Sequence, residues 1–305
     1  MISYAQNLED VVLFRLTSIV PVGSFVDVGA AHPILENPTY ALYKAGWRGI
    51  NIEPMSREAE MLRRERPDDV TLQVAVGDAP GKVTLYEAPV DNRGATTADH
   101  DVVARYEAQG QSFVSFEADV VRIADVVAKH HSGELHVLKI DVEGMERQAI
   151  IGADLAVIRP WVVVIEATMP NSTTPSHDAW EKLVLDAGYV MTLFDGLNRF
   201  YVRQDKPDVQ GLLSAPANVF DGWMTHTEAQ LRENAVDAEI ATKALRAELD
   251  HVTQRALRAE EYAASLVAER EAAAPHIAVL QQRAELAQQL EQEVAQLRAL
   301  TRLGR

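Results

Sequence analysis

Hydrophobic and polar positions follow two rhythms along this chain. Short apolar runs bounded by turn residues recur at 24–29, 48–53, 70–76, 82–87, 136–141, 161–167, 189–194 and 198–202. Several are unbroken, as in Trp161-Val162-Val163-Val164-Ile165, which is the pattern of strands covered on both faces. Between them the spacing turns helical, at about 56–66, 122–129, 144–157 and 176–187. Another helix opens at Asn37-Pro38, a capping residue followed by proline at the first helical position. Strands alternating with helices predict an α/β domain with a mostly parallel sheet covered on both sides. Asp195-Gly196-Leu197 joins the last two runs by a tight reversal, so one antiparallel pair is expected at the sheet's end. Ligands of such sheets bind outside the carboxyl ends of the strands.

The rhythm changes after Trp223. From there to Leu303 the chain has no glycine, one aromatic residue (Tyr262) and one proline (Pro275), and it is mostly Ala, Glu, Gln, Leu and Arg. These residues have high helix propensity. Leu245, Leu249, Val252, Ala256, Ala259, Ala263 and Leu266 recur at alternating intervals of 4 and 3, a heptad seam with charged flanks. Pro275 is expected to interrupt it, because proline removes an amide donor and clashes with the preceding turn. A second helical run follows through Leu286, Leu290, Val294 and Leu297. Such a tail is either a coiled coil, pairing with itself or with another protein, or a single frayed helix whose many alanines bury little area. Chemistry is expected only before about residue 220.

Composition narrows the functional classes. The 305 residues are 47% hydrophobic and 24% charged, ordinary for a globular protein. The absence of cysteine excludes disulfides, thiolate metal sites and a cysteine nucleophile. A net charge of -16 disfavours nucleic acid as a partner. No stretch is apolar enough for a transmembrane segment, and the first residues lack a signal-peptide pattern, so a cytoplasmic protein is expected. Serine hydrolysis has no support, since no G-x-S-x-G elbow occurs. Arg63-Arg64-Glu65-Arg66 reads as a solvated helix face, and His130-His131 as a helix end.

The strand ends carry the candidate chemistry. The first run ends in Asp27-Val28-Gly29-Ala30-Ala31-His32, where small residues let a ligand lie against the backbone and Asp27 can accept from an ammonium or from loop amides. The second ends in Glu53-Pro54, where an acid can accept both hydroxyls of an adenosine ribose. The third runs into Ala75-Val76-Gly77-Asp78, suited to an adenine edge. The alternative is that Asp27 and Glu53 merely end strands and cap loops. No G-x-G-x-x-G cradle follows the first strand, so an adenosyl ligand without phosphates, such as S-adenosylmethionine, fits better than a dinucleotide.

Taken in order, Ser3-Tyr4-Ala5-Gln6-Asn7-Leu8-Glu9-Asp10, Phe25-Val26-Asp27-Val28-Gly29-Ala30, Gly46-Trp47-Arg48-Gly49-Ile50-Asn51-Ile52-Glu53-Pro54, Ala75-Val76-Gly77-Asp78, Leu138-Lys139-Ile140-Asp141-Val142-Glu143-Gly144 and Val164-Ile165-Glu166-Ala167-Thr168 resemble the FkbM family of S-adenosylmethionine-dependent methyltransferases. The resemblance spans about residues 1–220 and divides the chain into a methyltransferase domain, 1–222, and a helical or coiled-coil tail, 223–305. It implies a class I, Rossmann-like fold, with a seven-stranded, mostly parallel sheet whose last strand is antiparallel. It also implies O-methyl transfer to sugars or polyketide-type products, often in surface-polysaccharide pathways. The donor site it implies draws on Tyr4, Gln6, Asp27, Gly29, Ala30, Glu53, Pro54, Val76, Gly77 and Asp78. Two features depart from the pattern: Ala30, Ala31 and His32 replace further glycines after Gly29, and 94–99 matches only loosely.

Methyl transfer to a hydroxyl needs the acceptor held in line and its proton removed, by a base or with help from a metal. Lys139, Asp141 and Glu143 alternate along one strand and point the same way. Glu166 ends the next strand, and His177 follows at a helix start. Asp141 is expected beside the sulfonium and acceptor, with Glu166 or His177 as base. Lys139 is either catalytic or an ion-pair partner of the neighbouring acids. Asp141 and Glu166 could alternatively ligate Mg²⁺ through oxygen. The acceptor is expected to be a sugar, a glycan or a glycosylated metabolite, with specificity carried by the loop-like stretch 88–120. The tail would serve a homo-oligomer or a glycosyltransferase partner. Competing readings are a catalytically weak or inactive head on a scaffold, and a methyltransferase for non-sugar acceptors.

Overall fold

The computed structural model describes residues 1–87, 103–104, 107–108, 110, 112–169 and 172–302. Its strands and helices run in the order β1 (Ile2–Ser3), α1 (Glu9–Phe14), β2 (Ser24–Val28), α2 (Tyr40–Lys44), β3 (Arg48–Ile52), α3 (Ser56–Glu65), β4 (Val70–Leu72), β5 (Ala75–Val76), β6 (Gly81–Glu87), β7 (Val114–Val121), α4 (Ile123–His130), β8 (Val137–Ile140), α5 (Glu146–Ala153), α6 (Leu155–Ile158), β9 (Val162–Glu166), α7 (Glu181–Asp186), β10 (Tyr189–Phe194), β11 (Asn198–Arg203), α8 (Pro207–Leu212), β12 (Met224–Thr225) and α9 (His226–Arg302). Two compact units divide it, Met1–Gln230 and Leu231–Arg305.

The first unit is built on a seven-stranded sheet of order β10-β11-β9-β8-β2-β3-β4. From β9 to β4 neighbouring strands are parallel, while β11 runs antiparallel to both β9 and β10. Strand alternation sends Val26, Leu138 and Ile165 to one face, against Ile123, Ile150 and Val184 of the helices. Phe25, Val137 and Val164 go to the other face, against Leu13, Leu42 and Val209. Both faces are therefore covered, which is why these strands read as continuous apolar runs. The parallel strands all end at one edge, with Gly29, Glu53, Asp141 and Glu166 at the exits of β2, β3, β8 and β9.

Several expectations need correction. The run 70–76 is not one strand: β4 ends at Leu72, and β5 leaves for a separate three-stranded sheet, β5-β7-β6. The chain then passes tightly beneath α5, where a Cβ on Gly152 would lie 1.9 Å from the Gly77 carbonyl oxygen. The stretch 88–120 is not a loop throughout, since β7 pairs along its length with β6; the turn at 91–94 and the segment 94–99 lie outside the described residues. The helix expected at 144–157 breaks into α5 and α6 at Asp154, whose φ is 47°.

The expected interruption at Pro275 is absent: α9 continues through it for 77 residues. An internal proline costs about 3 kcal/mol, whereas stopping and restarting would require a second unfavourable nucleation. The flanking Ala272-Ala273-Ala274 favours helix on the N-terminal side. Among the described residues no helix is long and apolar enough to cross a membrane.

Candidate active site

Backbone geometry brings the ends of β2 and β8 together. Gly29 has φ 73°, and a Cβ there would meet the Asp141 carbonyl oxygen at 1.8 Å, so no other residue fits without moving a strand. Asp27, one turn of the pleat earlier, is fully buried. Its Oδ2 accepts from the Thr39 hydroxyl at 2.7 Å and from Asn37 Nδ2 at 3.4 Å. The Lys139 ammonium lies 3.6 Å from Asp27 Oδ1 and 3.3 Å from Asp141 Oδ2, and it donates to the Gly29 carbonyl at 3.1 Å. Burial works against the Lys139 charge, but Asp141 and Asp27 outweigh it and hold its pKa above the usual lysine value. Lys139 is therefore ion-paired with Asp141 and Asp27.

Three carboxylates gather beside that pair. Asp141, Glu143 and Glu166 each offer an oxygen, and these atoms lie within 4.8 Å of one another. Glu143 takes a left-handed backbone, φ 49°, and Glu146 ties down the turn by accepting from the Val142 and Gly144 amides. Burial, followed by the charges of Asp141 and Glu146, raises the Glu143 pKa. Burial, followed by Asp141 and Glu143, raises that of Glu166. Like charges this close disfavour one another, so Glu143 and Glu166 are both held toward their protonated forms. The expected strand alternation does not reach Glu143: β8 ends at Ile140, three residues earlier, and the left-handed turn rather than the pleat brings Glu143 to the cluster.

Glu53 caps the loops on either side of it. Its Oε2 accepts from the Ala31 amide and its Oε1 from the Met55 amide, both at 2.8 Å. The side chain is almost wholly buried, and burial raises its pKa from 4.5 to about 7. The loop-capping role is therefore observed, and a carboxylate accepting one bond per oxygen keeps acceptor capacity for a diol. Pro54 follows it half-buried, and Ala30 is buried. Val76 and Gly77 are buried at the start of the second sheet, and Asp78 is exposed.

The N-terminal segment folds over the rim. Asp10 accepts from Ser3 Oγ and the Tyr4 amide, and Asn7 Nδ2 donates to the Asp195 carbonyl. Glu9 accepts from Asn198 Nδ2 at 2.7 Å, and Asn198 is paired across the sheet with Glu166. The Tyr4 ring meets Tyr40 edge-on at 4.7 Å, and Gln6 is exposed. His177 stands apart from the carboxylates in its contacts: its Nε2 lies 3.4 Å from the exposed Asp178. Its segment nonetheless returns to the end of β9, where the Ser176 amide donates to the Ala167 carbonyl at 2.9 Å.

Residues the sequence reading missed hold this rim in shape. Arg66 was expected on a solvated face and is fully buried instead. Its guanidinium donates to the Pro33 carbonyl, Thr39 Oγ1, Asn51 Oδ1 and Asn37 Oδ1. Through Thr39 the network reaches Asp27. A position just past the last turn of α3 departs from the exposed helical face, which is the only sequence signal available. Glu9 and Asp10 were likewise unassigned, and both are buried.

Burial raises Glu9 from 4.5 to about 7, as it does Glu53. Between those values the folded state binds more protons than the unfolded chain, so the contribution of these groups to stability falls as pH rises through that window. Glu9→Gln is expected to flatten the fall by up to about 1.4 kcal/mol per pH unit, measured by urea unfolding at several pH values from 4.5 to 7. An unchanged slope would mean that Glu9 titrates as in the unfolded chain.

A glycine turn, a capping acid and clustered carboxylates thus meet at the carboxyl ends of the parallel strands, where sheets of this kind bind ligands. Residues 27–191 match the model of the methyltransferase FkbM domain. The chain belongs to this family of S-adenosylmethionine-dependent methyltransferases. No curated protein matches it. Among solved structures it is similar to a TehB-like SAM-dependent methyltransferase from Corynebacterium glutamicum, at 10% identity and a TM-score of 0.35, covering 64% of this chain and 87% of that one.

Proposed function

We propose that this protein is an O-methyltransferase that moves the methyl group of S-adenosylmethionine to a hydroxyl of a sugar, a glycan or a glycosylated metabolite. The observation that carries the reading is the Asp141, Glu143 and Glu166 cluster at the strand ends. Its chemistry suits both a cationic donor and the deprotonation of a poor nucleophile. Glu53, Gly29, Ala30 and Pro54 are the residues that would hold the adenosyl end, with Tyr4, Gln6, Val76, Gly77 and Asp78 as further candidates. When bound, the donor supplies a methyl group on a positively charged sulfur. Asp141, fixed by Lys139, balances positive charge at the reacting end, and Glu166 accepts the hydroxyl proton. His177 is the alternative base.

Calorimetry with S-adenosylmethionine is expected to show binding to the intact chain. Absence of binding at millimolar ligand would leave the inactive-head reading standing. Product analysis after incubation with oligosaccharide and non-sugar hydroxyl acceptors then separates the two acceptor classes.

The closeness of the three carboxylates favours a second reading, in which they ligate Mg²⁺ and its waters complete the shell. Transfer abolished by EDTA and restored by Mg²⁺ would establish it. Transfer unaffected by EDTA leaves the carboxylates as base and counter-charge.

A further inference from the structure

We propose that the tail is the interface with a second copy of this chain, wound as a parallel, in-register, two-stranded coiled coil. Every described side chain from Leu231 to Arg298 is exposed, large apolar ones included: Leu245 is 66%, Leu249 64% and Val252 52% exposed. These are not scattered. Every seventh residue from Leu231 to Val294 is Leu, Val or Ala, and Leu249, Ala256, Ala263 and Ile277 fall on the companion seam. A helix of 77 residues is about 115 Å long, so small residues at some layers are offset by the number of layers.

The flanks argue for a second copy and for its direction. In a parallel pair each residue before the companion seam faces the residue five further along the other chain. Arg255 then meets Glu260, and Tyr262 meets Val267. No such pair between Asn234 and Ala295 sets like charges opposite one another. Arg255 with Glu260 is the one oppositely charged pair of this set, and the remainder are neutral or singly charged, so a second copy meets no repulsion along these flanks. Arg270 and Glu291, also on the companion seam, face their own copies in register; each costs stability and disfavours higher assemblies, which would crowd more like charges around one axis.

Sedimentation of the full chain is expected to give twice its 33.7 kDa mass. The paired change Leu249→Asp and Val252→Asp should yield monomer, with the thermal transition of the first unit unchanged. Arg255→Glu should weaken association several-fold, and adding Glu260→Arg should restore it, which a merely unfolded helix would not do. Because the chain lacks cysteine, Val252→Cys supplies a single thiol, and mild oxidation should link two chains at facing positions. A monomeric wild type, or a dimer that survives the paired aspartates, overturns the interface. A dimer that does not cross-link at position 252 overturns the parallel register.

Discussion

Arg66→Met is expected to destabilise the first unit by about 3–5 kcal/mol, the cost of breaking a buried charged network from one side. The guanidinium is fully buried and serves five acceptor contacts on four residues. Methionine fills much of the volume and satisfies none of those oxygens. For a unit of this size the melting temperature should fall by roughly 6–20 °C. Arg64→Met is the internal control, since Arg64 in the same run is 73% exposed and its loss should stay within about 0.5 kcal/mol. Lysine is no substitute at position 66, because an ammonium cannot reproduce the planar fork. If Arg66→Met melts with the wild type, the network does not hold the rim.

Asp141→Asn is expected to lower kcat by about a hundredfold to ten-thousandfold, measured as transfer of labelled methyl from S-adenosylmethionine to the best acceptor found. Asparagine keeps the size of the side chain and removes its charge. After burial, Asp141 is the largest influence raising Glu166, so its removal lets the Glu166 pKa fall. The acidic limb of the pH–rate profile should therefore move to lower pH in the variant. That shift distinguishes direct coupling from damage to the fold, which would leave the limb in place. Full turnover with an unmoved profile would remove Asp141 from the reaction. Glu166→Gln should suppress the rate to a similar degree and abolish the limb altogether.

The sequence reading failed where a side chain's environment depends on what crosses it. Arg66 sits in a run that looks solvent-facing, yet the loop bearing Pro33, Asn37 and Thr39 folds back over it. The strand expected at 70–76 was correct in hydrophobicity and wrong in unity, because an edge strand can leave its sheet without changing its pattern. β7, Val-Ser-Phe-Glu-Ala-Asp-Val-Val, alternates apolar and polar residues as a half-covered strand does, so its period-two pattern was there to be read. Glu143 joined the cluster only because its backbone adopts φ 49°, a choice that local composition does not announce.

Burial on both faces writes itself into composition, so β2, β8 and β9 were legible as apolar runs, as were the acids that stop them. The heptad spacing of the tail was legible for a similar reason, since a seam is a one-dimensional pattern. Contacts between distant segments are a different matter. Whether Lys139 faces Asp27 and Asp141, whether Glu53 straps Ala31 to Met55, and how close Asp141, Glu143 and Glu166 come were decided by the folded chain alone. Electrostatic energies change steeply over the few ångströms that only the fold sets.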